Sequence, residues 1–223
     1  MNAAGRFALL VVWLVATCSG CEFANSKFPV VKPSEAKPAP KLHGAYRVVG
    51  KMEAEQAYVH LGPAGTGYPP GFLRVVVVGH SPKPNTELTY LPYICFVHQL
   101  GNDYLINIPL AKKLEGERLF DWTKKWASDD DAGAYQIAKL VARPDGFDFV
   151  ALDNDFLAAE IAAGRLSGDV TRDKNSKFLK VVLNSSTEDL ARYFTEHQDD
   201  KKLFAPSDGK FIRLVDPTPA KKE

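Results

Sequence analysis

The chain is short of the residues that most often announce chemistry. Only three of its 223 residues are cysteines. Cys18 and Cys21 lie at the exit of an apolar leader, so Cys95 alone remains in the body, where a lone thiol cannot form an internal disulfide and packing has to hold the fold. The five histidines, at 43, 60, 80, 98 and 197, show no His-x-x-x-His or His/carboxylate spacing, so the sequence carries no metal signature and implies no cofactor. Net charge is nearly absent too, with 28 Lys+Arg against 27 Asp+Glu. Losing Arg6 with the leader balances the two signs, which gives the chain as a whole no strong electrostatic claim on nucleic acid or on anionic lipid. No apolar run reaches the ~20 residues of a membrane-spanning helix.

What is present begins at the N-terminus. Arg6 is followed by an unbroken apolar run, Phe7 to Ala16, and by Thr17-Cys18-Ser19-Gly20-Cys21. One basic residue, about ten apolar ones and a small-residue exit read as a secretory signal. Ser19-Gly20-Cys21 resembles the lipobox of bacterial lipoprotein precursors, where small residues precede a cysteine that becomes the lipidated mature N-terminus. The resemblance implies a signal peptide over residues 1–20, a diacylglyceryl thioether on Cys21, fatty acid such as palmitate, and anchorage to a bacterial membrane facing the periplasm or cell surface. Val15-Ala16-Thr17-Cys18 is the competing box, with Cys18 in the lipidated place. Residues 21–41 carry Pro29, Pro33, Pro38 and Pro40, a density that favours extended chain rising ~3.1 Å per residue, and they are expected to be a tether up to ~60 Å long.

Residues 42–216 are expected to form one globular domain, with 217–223 a disordered tail. Gly44-x-Tyr46, at the head of its first strand, resembles the glycine-x-aromatic start of lipocalin-type barrels. The loop Gly62–Gly71 lacks the Gly-Lys-Ser/Thr ending of a phosphate cradle and reads as a connection. Arg74-Val-Val-Val-Val-Gly79 suits a central strand covered on both faces. Gly101-Asn102 and Pro144-Asp145-Gly146 each mark a hairpin. Within the first, Cys95 and His98 fall on opposite faces, so they form no thiol-imidazole pair, and Cys95 reads as a buried small hydrophobe. Leu119, Trp122 and Trp126 suit one face of a short helix, and Ser128-Asp-Asp-Asp131 reads as a solvated turn rather than a calcium loop.

In the C-terminal half, Asp153 or Asn154 caps a helix that stops at Gly164, and Ser186 caps a second whose inner side carries Leu190, Tyr193, Phe194 and His197. The predicted fold class is α+β: mainly antiparallel β, about eight strands in a curved sheet or partly closed barrel, with two short capped helices. The sequence assembles no catalytic set, so the chain is read as non-enzymatic. The leading functional reading is a membrane-anchored envelope lipoprotein, a binding or structural module. Its candidate partners are the membrane, an envelope protein or a small apolar ligand. The alternatives are a lipocalin-like carrier of such a ligand and an envelope hydrolase.

Overall fold

The structure is a computed structural model, described over residues 24–50, 56–80, 89–109, 135–172, 179–205 and 209–214. A two-residue strand, β1 (Asn25–Ser26), precedes two 3-10 turns, Pro33–Glu35 and Pro40–Leu42. A meander follows: β2 (Gly44–Val49), β3 (Gln56–Pro63), β4 (Phe72–His80), β5 (Thr89–Leu100), β6 (Asp103–Pro109), β7 (Tyr135–Arg143) and β8 (Gly146–Ala151). Each of these strands pairs antiparallel with the next. The chain then makes α1 (Asn154–Ala162), β9 (Gly168–Arg172), β10 (Leu179–Leu183), α2 (Thr187–Glu196) and β11 (Gly209–Arg213).

β11 slots antiparallel between β8 and β2 and completes a ring of eight strands. The expected antiparallel, β-rich α+β fold is what forms, and the eight-strand ring is fully closed, which leaves those strands none of the free edges an open sheet would present. Followed from Val48 through each pairing and back to β2, the registers are displaced by about 12 positions, so the strands are steeply tilted.

Local chemistry sets the hairpins. Leu100 pairs with Asp103 across Gly101-Asn102, and Gly101 takes φ +62°, the left-handed region a tight hairpin needs. Gly146 closes the second hairpin for a further reason, since a Cβ there would lie 1.8 Å from the carbonyl oxygen of Phe211 on β11. Alternation then turns Tyr46, Leu61, Leu73, Cys95, Ile106, Leu140 and Phe147 into the bore, where they form one apolar cluster. The four-valine strand differs from expectation. Val75 and Val77 face the bore, but Val76 and Val78 lie half-buried on the outer face, because a barrel strand is covered on its inner side only.

The expected tether over 21–41 also has to be corrected. From Ala24 onward the chain is packed on the barrel, with Ala24 at 1%, Val30 at 0% and Ala39 at 2% exposure. β1 pairs antiparallel with β7 and parallel with β10. Val30 N donates to Oδ1 of Asn107, 0% exposed on the outer face of β6, at 2.7 Å. Ala36 lies over Gly71, where a Cβ would sit 2.1 Å from the Ala36 carbonyl oxygen. Pro33 and Pro40 open the two 3-10 turns, their fixed φ supplying bends rather than an extended rod. Leu42 ends this strap inside the bore cluster.

A second apolar core lies outside the barrel, between β6–β7 and the α1–β9–β10–α2 unit, with Leu105, Ile137, Leu157, Val181, Leu190 and Phe194 at its centre. Asp153 caps α1, accepting from Phe156 N at 2.8 Å, and Ser186 caps α2, accepting from Asp189 N at 3.1 Å. Two buried charges complete this flank. Lys139 Nζ reaches Asp103 at 3.1 Å, donates to the Gln198 carbonyl at 2.9 Å and sits 4.7 Å above the Phe204 ring. Glu160 receives Arg165 Nε at 2.7 Å and the Tyr193 hydroxyl at 2.9 Å.

Candidate functional site

The two ends of the barrel differ. At the end formed by Gly44, Phe72, Gly146 and Arg213, the strap supplies a plug. Tyr46 donates its hydroxyl to the Leu42 carbonyl at 2.8 Å, and Arg213 donates to the Lys41 carbonyl and, at 2.7 Å, to Tyr46 Oη. The guanidinium carbon lies 5.2 Å from the centre of the Tyr46 ring, within cation-π range. Burial raises the pKa of Tyr46, with Arg213 opposing the rise. The glycine-x-aromatic pair read from the sequence is therefore part of this closure.

Toward the opposite end the inward positions include the half-buried Val48, Val75, Tyr93, Ile108, Phe149 and Phe211 and the buried Ala57, Val59, Val77 and Ala138, whereas Leu73, Cys95 and Phe147 deeper in the bore are at most 4% exposed. An aromatic wall runs between the ends. Tyr46 meets Phe147 edge-on at 4.8 Å, Phe147 stacks on Phe211 at 4.7 Å, and Phe211 reaches Phe149 at 6.2 Å. Among the described residues, the one charged side chain at an inward barrel position is Arg213, and it is committed to the plug. The connections at this end, 51–55, 81–88, 110–134 and 206–208, lie outside the described residues, and with them Trp122, Trp126 and the Ser128–Asp131 turn.

Cys95 lies in the bore at 0% exposure, and burial pushes its thiol up to about 12, far from a thiolate at neutral pH. His98 is on the outer face, its pKa lowered by burial and by the nearby Lys37 charge. The two residues do not meet. Cys18 and Cys21 precede the described residues. Among the described residues no three His, Cys, Asp or Glu side chains gather in a way that could hold a metal ion.

A groove of ≈ 730 Å³ lies on the flank beside α2, lined by Arg165, Asn184, Ser185, Arg192, Tyr193 and His197 among others. Three of its ionic groups, Arg165, Asp189 and Arg192, are already engaged. Arg165 clasps Glu160 and, with the Tyr193 hydroxyl, holds its carboxyl down to about 2, while Arg192 pairs with Asp189 at 2.5 Å. A carboxylate so stabilised is a poor proton carrier at neutral pH. Sequence reasoning missed both buried charges, since Glu160 and Lys139 sit at ordinary helix and strand positions. No family model, curated protein or solved structure matches this chain.

Proposed function

We propose that the chain is a lipid-anchored protein of the bacterial envelope that holds a small, uncharged, apolar ligand at the end of its barrel opposite the strap. The observation that carries this reading is the ring of Val48, Val75, Tyr93, Ile108, Phe149 and Phe211: apolar, inward-facing and half-buried above a closed floor. A site of this kind, apolar walls with a few polar handles, is the usual form of a small-molecule pocket. Here the Tyr93 hydroxyl supplies the handle. An ionised ligand head would enter without a counter-charge, which is costly in such surroundings. The resemblance of Gly44-x-Tyr46 to the start of lipocalin-type barrels points the same way. The role is non-catalytic, and the lipobox-like Ser19-Gly20-Cys21 supplies the anchor through Cys21.

The experiment is extraction of the protein purified from bacterial membranes, with mass spectrometry of both the extract and the mature N-terminus. A neutral apolar compound near equal stoichiometry and a triacylated Cys21 are the expected findings. An extract with no such compound contradicts the carrier reading, and an unmodified Cys21 contradicts the anchor.

A further inference from the structure

The strap leaves almost no chain between the lipid and the body. Ala24 is 1% exposed and belongs to the flank core. Three residue steps separate Cys21 from it, a reach of roughly 11 Å at full extension. A tether over the whole of 22–41 would have allowed ~60 Å.

The position of Ala24 also says which surface is brought close. β1 runs parallel to β10 with Asn25 beside Val182, so the backbone traced back through Ala24 heads toward the Leu179 end of β10. That end pairs with β9, Leu179 beside Arg172 and Lys180 beside Thr171. That end carries two exposed cations, Arg172 on β9 and Lys180 on β10. Two basic side chains thus stand on the side from which the anchor emerges. Basic side chains near an anionic leaflet add electrostatic attraction to the hold of a lipid anchor.

We infer that the β9–β10 flank rests directly on the bilayer, with Arg172 and Lys180 toward anionic headgroups, instead of hanging from it on a spacer. The inference rests on the acylation of Cys21 proposed above. The opposite wall of the barrel, carrying His60 on the outer face of β3, then faces away from the membrane.

The full-length acylated protein is placed in vesicles of phosphatidylethanolamine and phosphatidylglycerol, with a fluorophore on Lys180→Cys or on His60→Cys. Cys95 is buried and stays unlabelled. Headgroup-borne spin labels are expected to quench the Lys180→Cys probe at least threefold more than the His60→Cys probe, and a Gly/Ser insert of about twenty residues before Ala24 is expected to abolish the difference. Equal quenching of the two probes on a protein whose mass shows the acyl chains overturns this inference and leaves the anchor standing. A mature N-terminus without acyl chains overturns both.

Discussion

Asn107 and Val30 stand 77 residues apart in the chain and are joined by a 2.7 Å hydrogen bond, the Val30 amide donating to the Asn107 side-chain oxygen at a site with no access to water. Asn107 also donates to the Phe96 carbonyl at 3.4 Å, so one side chain pins the N-terminal strap to two strands of the barrel. Asn107→Leu leaves the Val30 amide buried without an acceptor, a cost of about 1–3 kcal/mol. The expected result in urea unfolding is a lowered midpoint with an unchanged slope, together with faster tryptic cleavage after Lys27 and Lys41.

Gly71→Val tests the same seam from the other side. Its Cβ would lie 2.1 Å from a backbone atom of Ala36, so the strap has to move rather than a side chain turn aside. Limited proteolysis is expected to remove the strap while far-ultraviolet dichroism stays β-rich. Gly146→Ala is expected to be worse. There the obstacle is the Phe211 carbonyl in the seam between β8 and β11, and the strand that closes the barrel cannot dock.

The plug makes a separate prediction. Arg213→Ala removes donors to the Lys41 carbonyl and Tyr46 Oη together with the ring contact, and Tyr46→Phe removes the hydroxyl that bridges Arg213 to Leu42. Each is expected to cost about 1–2 kcal/mol. The double variant is expected to lose less than the sum, because both act on one network.

Stability at low pH should report on Glu160. Its folded pKa, about 2, lies below the usual 4.5, with the hydrogen bond from Arg165 the largest cause. A depressed carboxylate contributes above its unfolded pKa and loses that contribution as pH falls through the folded value. Wild-type protein is therefore expected to lose on the order of 2 kcal/mol between pH 4.5 and pH 2 from this group. Glu160→Gln should be less stable at pH 7 and should show a shallower decline over that window, measured by chemical unfolding at each pH.

Cys95, its thiol raised to about 12 inside the bore, is expected to react with thiol reagents only as fast as the protein unfolds. Cys95→Ala should be mild, and Cys95→Ser should cost about 1–3 kcal/mol for a hydroxyl without a partner.

The parts of this fold legible in the sequence are those whose cause is local. Gly101-Asn102 and Pro144-Asp145-Gly146 specify hairpins within four residues, and Asp153 and Ser186 announce helices through the amide three positions on. The barrel alternation around Tyr93, Cys95 and Val97 was readable for the same reason. What was not readable depends on distant partners. Prolines 29, 33, 38 and 40 read as a free extended chain because Asn107 and Gly71, which hold the strap down, lie far away in sequence. Closure of the ring needed β11 to return to β2 from the far end of the domain, and no short pattern encodes that. β9 escaped notice because Val170 is its only apolar residue. The ring at the end opposite the strap was in view only as scattered Val, Ile, Tyr and Phe. Steep strand tilt brings them to one level.

This ring is proposed to accept an uncharged apolar molecule, and titration with the fluorescent probe N-phenyl-1-naphthylamine tests that binding. Saturable enhancement with one probe per protein is expected. Decanol should displace the probe and decanoate should not, and Phe211→Asp and Val75→Asp, each checked for β-rich dichroism, should weaken binding at least tenfold. Displacement by decanoate as effective as by decanol, or unaltered binding in both folded variants, would contradict it.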